Sequence, residues 1–261
     1  MKDALGREKH QDRKMGEREH LFDLLIHDLT VPLSVLSTST ANLLHKPGRY
    51  GPLNDQQTRI VQRIFRNAHR AQTLLHEMVE LFHSEEGLFE KQTFSIDTLL
   101  RESIMDALEM TAPQVVEKLD SVKDQEEFQR ILEPHGIFVE ITGKYCQSPF
   151  CNDRAKVQQI LRNLMSNALK YRRERVAMTV SGDRDLIVVV EDDGRGIPLE
   201  KQESIFERFV RLTDKNQPDV PGLGLGLTGV RALLEAMGGE ITLVSREGFG
   251  ARFTARIPPL P

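Results

Sequence analysis

Two apolar stripes at helical spacing run along the stretch from about Asp55 to Glu85, and they constrain the fold more than any other feature of the sequence. The first stripe consists of Ile60, Ile64, Ala71, Leu74, Met78 and Leu81. The second stripe consists of Val61, Phe65, Ala68, Leu75, Val79 and Phe82. A helix with an apolar surface this wide needs more than one neighbouring helix to cover it. The stretch therefore predicts a helix that belongs to a bundle.

A heptad pattern precedes this helix. Its seam positions alternate between spacings of four and three residues: Phe22, Ile26, Leu29, Leu33, Leu36, Thr40 and Leu43. Such a seam predicts a helix with a coiled-coil face, and the proline- and glycine-rich stretch 46–54 predicts the turn that follows it. One hairpin of two helices leaves a stripe uncovered, whereas two hairpins form a four-helix bundle, so we expect a homodimer.

The rest of the chain has a mixed α/β pattern. Helical spacing covers residues 95–110 and the stretch that begins near Asp153, while strand-like runs cover 136–142, 176–180, 185–191, 241–245 and 251–257. This order of elements predicts an α/β sandwich, with a mixed sheet and helices on one face. The segment 111–135 has helical apolar spacing at Val115, Val116, Leu119 and Val122, so we expect an extra helix there.

Composition bounds the class of protein. A chain of 261 residues suits about two domains, at roughly 100–200 residues each. Its net charge of −4 comes from mixed acidic and basic residues, which is unlike the basic face of a nucleic-acid-binding protein. There is no apolar run long enough for a membrane span, and the charged residues 1–20, expected to form a frayed helical lead-in, are unlike a signal peptide. The only cysteines, Cys146 and Cys151, indicate two ordinary thiols in a reducing, cytoplasmic compartment.

The segment 162–171 carries the first candidate site. Asn163 and Asn167 are four residues apart, so both amides lie on one face of a helix, and Lys170 follows one turn later. An amide oxygen is a suitable ligand for Mg²⁺, and a lysine beside it suits phosphate oxygens. The alternative is that both are solvated amides on a surface helix.

Two glycine-rich segments carry the next candidates. In the segment 188–198, Asp192 follows a strand and precedes two glycines, Gly194 and Gly196, which would let the backbone approach a flat ligand such as adenine. The alternative is an acidic turn. In the segment 221–239, three alternating glycines lead into a helix, whose free N–H groups could bind phosphates: Gly222, Gly224 and Gly226. The alternative there is a flexible hinge.

His27 is the fourth candidate. It follows the seam position Ile26, so it lies at the edge of the seam, and Asp28 beside it could orient the imidazole or accept its proton. Pro32 lies inside the same helix at a cost of roughly 3 kcal/mol, and it should bend the helix because it leaves the carbonyl of Asp28 unpaired. The alternative is a surface histidine on a long helix.

Taken together and in this order, these segments resemble the sensor histidine kinases of two-component signalling. HDLTVPL (27–33) resembles the phospho-acceptor box, and RNLMSNALKY (162–171) the asparagine box. EDDGRGIP (191–198) and GLGLGL (222–227) resemble the two glycine boxes, and IFERFVR (205–211) the phenylalanine box. The resemblance implies that residues 21–88 form a dimerisation and histidine phosphotransfer domain and that residues 92–261 form an ATP-binding catalytic domain.

The resemblance also implies roles for individual residues. His27 would be the nucleophile and Asp28 its base. Asn167 would bind Mg²⁺ with Asn163 in support, and Lys170 would contact phosphate.

The remaining nucleotide-binding residues implied by the resemblance are Tyr171, Asp192, Gly194, Gly196, Phe206, Gly222, Gly224 and Gly226. Among these, Asp192 would accept a hydrogen bond from the adenine amine, and the last three glycines would close over the triphosphate. Phe206 and Phe209 would anchor a lid that runs from about residue 210 to residue 221.

The expected function is therefore that of an ATP- and Mg²⁺-dependent autokinase that passes a phosphoryl group from His27 to an aspartate of a response regulator. No sensor domain is recognised, so we expect either a longer parent protein or a separate sensor partner. Two alternatives remain open. ATPases of the same nucleotide-binding fold carry a water-activating glutamate where this chain has Asn163, and a non-enzymatic dimeric scaffold that binds nucleotide would have no use for His27.

Overall fold

The structure, a computed structural model, describes residues 28–84, 89–109, 111–122, 124–207, 210 and 226–260. The chain divides into two units, Met1–Glu80 and Leu81–Pro261. The predicted lead-in (1–20) and His27 lie outside the described residues.

The first unit is the predicted helical hairpin. Helix α1 covers residues 28–45, the short helix α2 covers Pro47–Tyr50, and helix α3 covers Asp55–Ser84. A reciprocal capping box begins α3, because Asn54 Oδ1 accepts from the Gln57 amide (2.9 Å) and Gln57 Oε1 accepts from the Asn54 amide (3.0 Å). Gln72 Nε2 donates to Ser34 Oγ (3.2 Å), which joins α3 to α1.

Large apolar side chains on both long helices remain exposed in the isolated hairpin. They are Leu29, Val31, Val35, Leu36, Ile60 and Ile64. Thr40, the polar member of the seam, is instead buried, and its hydroxyl donates to the carbonyl of Leu36 (2.6 Å) within its own helix. The seam is therefore compatible with an apolar interface, and one hairpin does not cover it.

The second unit is the predicted α/β sandwich. In chain order its elements are β1 (Gln92–Phe94), α4 (Ile96–Glu109), α5 (Pro113–Leu119), α6 (Gln125–Leu132), β2 (Ile137–Ile141), β3 (Phe150–Asn152), α7 (Arg154–Tyr171), β4 (Val176–Ser181), β5 (Leu186–Asp192), α8 (Gly226–Ala236), β6 (Glu240–Ser245) and β7 (Ala251–Ile257). The main sheet has the order β2-β4-β5-β7-β6, in which β2 and β4 are parallel and the other neighbours are antiparallel. The prediction of a mixed sheet is confirmed.

The core lies between one face of this sheet and the helices. Every second residue of β4 and β5 is buried and the residues between them are half-buried, which is the period-2 pattern of a sheet with one covered face. Helix α7 packs against α4, α8 and β5. The predicted arrangement, with helices on one face, is confirmed.

The segment 111–135 differs from its prediction, because it forms two short helices rather than one. Val115 and Leu119 of α5 are buried in the core. A second helix, α6, then begins at a cap formed by Asp124, whose carboxylate accepts from the Glu127 amide (2.9 Å). Arg101 of α4 holds the second helix, since its guanidinium donates to Gln125 (2.6 Å) and lies 4.6 Å from the ring centroid of Phe128. The segment 111–135 therefore contributes to the core.

Candidate nucleotide-binding site

Helix α7 carries the predicted amide and lysine residues. Its inner face is fixed in the core by fully buried side chains such as Ile160 and Leu164. Asn163, Asn167 and Lys170 therefore fall together on the opposite, half-exposed face, at spacings of four and three residues. The structure confirms that the three residues share one face of a helix, and their contacts with Mg²⁺ or phosphate remain predictions.

The end of α7 meets the loop after β5. The Gly194 amide donates to Asp192 Oδ1 (2.9 Å), which folds the loop back over the aspartate. A Cβ atom on Gly194 would lie 2.1 Å from the carbonyl oxygen of Tyr171, the last residue of α7, so only glycine allows this approach. The structure thus brings Tyr171, Asp192 and Gly194 together.

A second contact fastens the same loop to the turn between β6 and β7. Gly196 has a φ of +69°, and a Cβ atom there would lie 2.0 Å from the carbonyl oxygen of Arg246. Ser245 Oγ accepts from the Ile197 amide (2.8 Å) and donates to the Gly250 carbonyl (2.6 Å). No sequence pattern pointed to Ser245, because its role depends on a contact between segments about fifty residues apart.

The pKa values of the adjacent carboxyl groups of Asp192 and Asp193 are shifted in opposite directions. Burial raises the pKa of Asp192 above the ordinary aspartate value, although the backbone amides of Gly194 and Ala251 oppose this shift. For Asp193 burial also acts to raise the pKa, but hydrogen bonds from backbone amides, including those of Arg173 (2.9 Å) and Glu174 (3.1 Å), hold it below the ordinary value. Asp193 stabilises the turn after α7, and Asp192 is the half-buried carboxylate at the candidate site.

Two cationic groups lie beside the ring of Tyr171. The Lys170 ammonium lies 5.7 Å from the ring centroid of Tyr171, and the Arg195 guanidinium lies 5.5 Å from the same centroid. Two positive charges from different segments therefore meet at one aromatic ring, at the junction between α7 and the glycine loop. Such a junction suits an anionic ligand with a flat ring.

The remaining predicted residues are only partly within the described part of the chain. Phe206 packs edge-to-face against Phe253 of β7, with ring centroids 6.4 Å apart. Gly226 begins α8. Asp28 is exposed at the described start of α1. His27, Phe209, Gly222, Gly224 and most of the predicted lid lie outside the described residues.

The described residues contain no cluster of three or more His, Cys, Asp or Glu side chains that could hold a metal ion. Within the same residues, no helix is long and apolar enough to cross a bilayer. Asn167 offers an amide oxygen rather than one of these side chains, and its assignment to Mg²⁺ stays a prediction.

Known proteins resemble this chain in both sequence and fold. Residues 152–261 match the family described as histidine kinase-, DNA gyrase B-, and HSP90-like ATPase. The sensor histidine kinase WalK of Bacillus subtilis (strain 168) is 28% identical over 255 residues, which cover 95% of this chain and 38% of WalK. The sensor protein RstB of Escherichia coli (strain K12) is 41% identical over 108 residues, which cover 41% of this chain and 25% of RstB. The crystal structure of full-length ShkA in complex with AMPPNP superposes with a TM-score of 0.64 at 23% identity, covering 92% of this chain and 45% of that one.

The family match and the relatives place the chain at two levels of detail. The family match runs from α7 to β7, so it defines this part of the second unit as a nucleotide-binding domain of the histidine kinase- and gyrase-like ATPase class. The relatives that match along nearly the whole chain are histidine kinases, so the resemblance to sensor histidine kinases that the sequence predicted is confirmed. It spans less than half the length of WalK and of RstB.

Proposed function

We propose that this chain is an ATP-dependent autokinase that phosphorylates His27 and transfers the phosphoryl group to an aspartate of a response regulator. The observation that carries the proposal is the junction at which Asp192, Gly194 and the end of α7 meet. This junction supplies a half-buried carboxylate, a close backbone approach and neighbouring cations. ATP presents matching groups, namely an exocyclic amine, a flat ring and a polyphosphate.

The recognition of adenine depends on Asp192. A carboxylate accepts hydrogen bonds, so it would bind the amine of adenine but would repel the carbonyl that guanine presents at the corresponding position. The loop is held in place on both sides, by Tyr171 and by Ser245. A fixed acceptor of this kind favours ATP over GTP.

Magnesium would arrive with the nucleotide. The amide oxygen of Asn167 would hold the ion, with Asn163 in support, while phosphate oxygens and water would complete its coordination. The ion would neutralise charge on the transferred phosphoryl group. Lys170, one turn further along the same face, would contribute a second positive charge.

The acceptor of the phosphoryl group is proposed to be His27 rather than water. Asn163 occupies the place of the water-activating glutamate of the related ATPases, and an amide cannot act as a general base. Asp28 would orient the His27 imidazole and accept its proton as the nitrogen attacks the γ-phosphorus. The protein's main contribution would be positioning and charge neutralisation.

Transfer to a partner tests the second half of the proposal. Labelled chain should lose its label to the receiver domain of a cognate response regulator, and the new phosphoryl bond should be stable in acid and labile in base, as an acyl phosphate is. If no member of a panel of receiver domains accepted label from a fully labelled chain, the proposed partner class would be wrong.

We further propose that the chain is a homodimer through the first unit. Exposed apolar side chains lie on both long helices, and one hairpin cannot cover them. Light scattering at micromolar concentration should give twice the 29.7 kDa mass of one chain, and a fragment of residues 1–88 should also be dimeric. A monomeric mass for both would contradict the four-helix bundle.

A last part of the proposal is that the chain has weak or no phosphatase activity. By the resemblance, kinases that dephosphorylate their regulator use a Thr or Asn four residues after the histidine, and Val31 has no hydrogen-bonding group with which to hold water. Thr30 lies one residue earlier, about 100° around the helix. The decay of the phospho-regulator should therefore be no faster with this protein and ADP than without them.

The matched variants make this prediction specific. Val31→Thr should gain phosphatase activity, whereas Val35→Thr, the same change at another exposed valine one turn later, should not. A several-fold acceleration of decay by the wild-type chain would overturn the prediction.

A further inference from the structure

The carboxylate of Asp153 makes two hydrogen bonds that serve different segments. Its Oδ1 accepts from the Lys156 amide (3.0 Å), which is the ordinary cap at the start of a helix, here α7. Its Oδ2 accepts from the Glu90 amide (2.9 Å), sixty-three residues earlier in the chain. Asp153 is only 6% exposed, so neither bond is weakened by competition with bulk water.

Glu90 belongs to the segment that connects α3 to β1. The structure describes residues 89–91 of this connecting segment, and Phe89 packs against the core of the second unit. The Glu90 bond and the Phe89 contact hold the chain before its first strand begins at Gln92.

The residue next to Asp153 is held by contacts with other elements. The neighbouring Asn152 is fully buried, and its amide donates to the carbonyl of Pro258 (2.7 Å), just past the end of β7. Asn152 also belongs to β3, where it lies opposite Gln92 of β1. The start of α7, the end of β7 and the incoming chain are therefore joined at one place.

We propose that Asp153 is a positioning residue for phosphoryl transfer, which fastens the connecting segment to the helix that carries Asn163 and Asn167. This inference rests on the proposed autokinase function. The acceptor His27 and the nucleotide site lie on opposite sides of the connecting segment in sequence, so the length of chain that is free between them sets how often they meet. Without the Glu90 bond, residues 89–91 could detach and add about 10 Å of slack, at about 3.3–3.6 Å per residue. A longer tether lowers the effective concentration of one group at the other.

The test is Asp153→Asn in the full chain. Asparagine keeps one oxygen to cap α7 but turns an NH₂ group toward the Glu90 amide, so the cap survives and the tether bond is lost. The rate constant of autophosphorylation at saturating ATP should fall several-fold, while the KM for ATP should change less than twofold. Hydrogen exchange at the Glu90 amide should accelerate, and protection of the amides in α7 should persist. Asp153→Ser, which can also cap the helix, should behave in the same way.

Asp124→Asn is the matched control. Asp124 caps α6 through a bond from the Glu127 amide, on a different helix from the one that carries Asn163 and Asn167, so the rate constant of Asp124→Asn should equal that of wild type. An unchanged rate constant in Asp153→Asn would mean that Asp153 is only a helix cap, and it would overturn the inference. A fall in the rate constant that is matched by an equal rise in the KM for ATP would overturn it as well. If the wild-type chain itself accepts no label, the proposed function fails instead, and the exchange at Glu90 still reports whether the bond exists.

Discussion

His27→Ala is expected to abolish phosphorylation of the chain and to leave its affinity for ATP unchanged. The proposed acceptor, His27, belongs to the first unit, whereas Asp192, Gly194 and the amides of α7 belong to the second. Removing the imidazole removes the nucleophile without touching the pocket. Label from γ-labelled ATP and a calorimetric titration with a non-hydrolysable ATP analogue measure the two properties separately.

His45→Ala is the control for this variant. His45 is an exposed histidine at the end of α1, so its removal should leave labelling at the wild-type rate. If His27→Ala still accepted label at a comparable rate, another residue would be the acceptor and the assignment would be wrong.

Asp192→Asn is expected to weaken ATP binding about five- to 150-fold, the range that follows from about 1–3 kcal/mol for a buried polar group that loses its partner. The amide would keep the bond from Gly194 with its oxygen, but it could present an NH₂ group to the adenine amine. Because burial raises the pKa of Asp192, wild-type affinity should also begin to fall at a higher pH than an ordinary aspartate would produce.

Asp193→Asn makes the same chemical change one residue later. The pKa of Asp193 is held below its ordinary value by backbone amides, so its carboxylate stabilises the folded state above the unfolded pKa, and this contribution is lost as the pH falls through the folded pKa. The variant should therefore lose some stability at neutral pH and keep most of its ATP affinity. Equal affinity of the wild type for ATP and GTP, or equal losses in both variants, would contradict the assignment of adenine recognition to Asp192.

The sequence predicted the elements that have a clear period. The strand-like runs on either side of the turn at Gly182 and the helical spacing in α7 predicted β4, β5 and α7 within a few residues. The strands β1 and β3 were not predicted, since three residues are too few to show a period. The segment 111–135 was predicted as helical, but its division into two helices depends on the capping bond that Asp124 makes.

The candidate site was predictable in its residue types but not in its contacts. The glycine pattern predicted that the backbone approaches a flat ligand, which stays a prediction, whereas the structure shows that Gly194 approaches the carbonyl of Tyr171. The resemblance assigned adenine recognition to Asp192, but the sequence predicted no role for Asp193, because that role depends on which backbone amides reach its carboxylate. The roles of Ser245 and Asp153 depend in the same way on long-range contacts.

The most direct measurement of the central claim is the fate of the γ-phosphate when the wild-type chain is incubated with Mg²⁺ and γ-labelled ATP. We predict label on the chain that is labile in acid and stable in base, as a phosphohistidine is, and a mass shift confined to the peptide that contains His27. Release of free phosphate without labelled chain would indicate an ATPase, and bound nucleotide with neither product would indicate a scaffold. Either of these results would contradict the autokinase assignment.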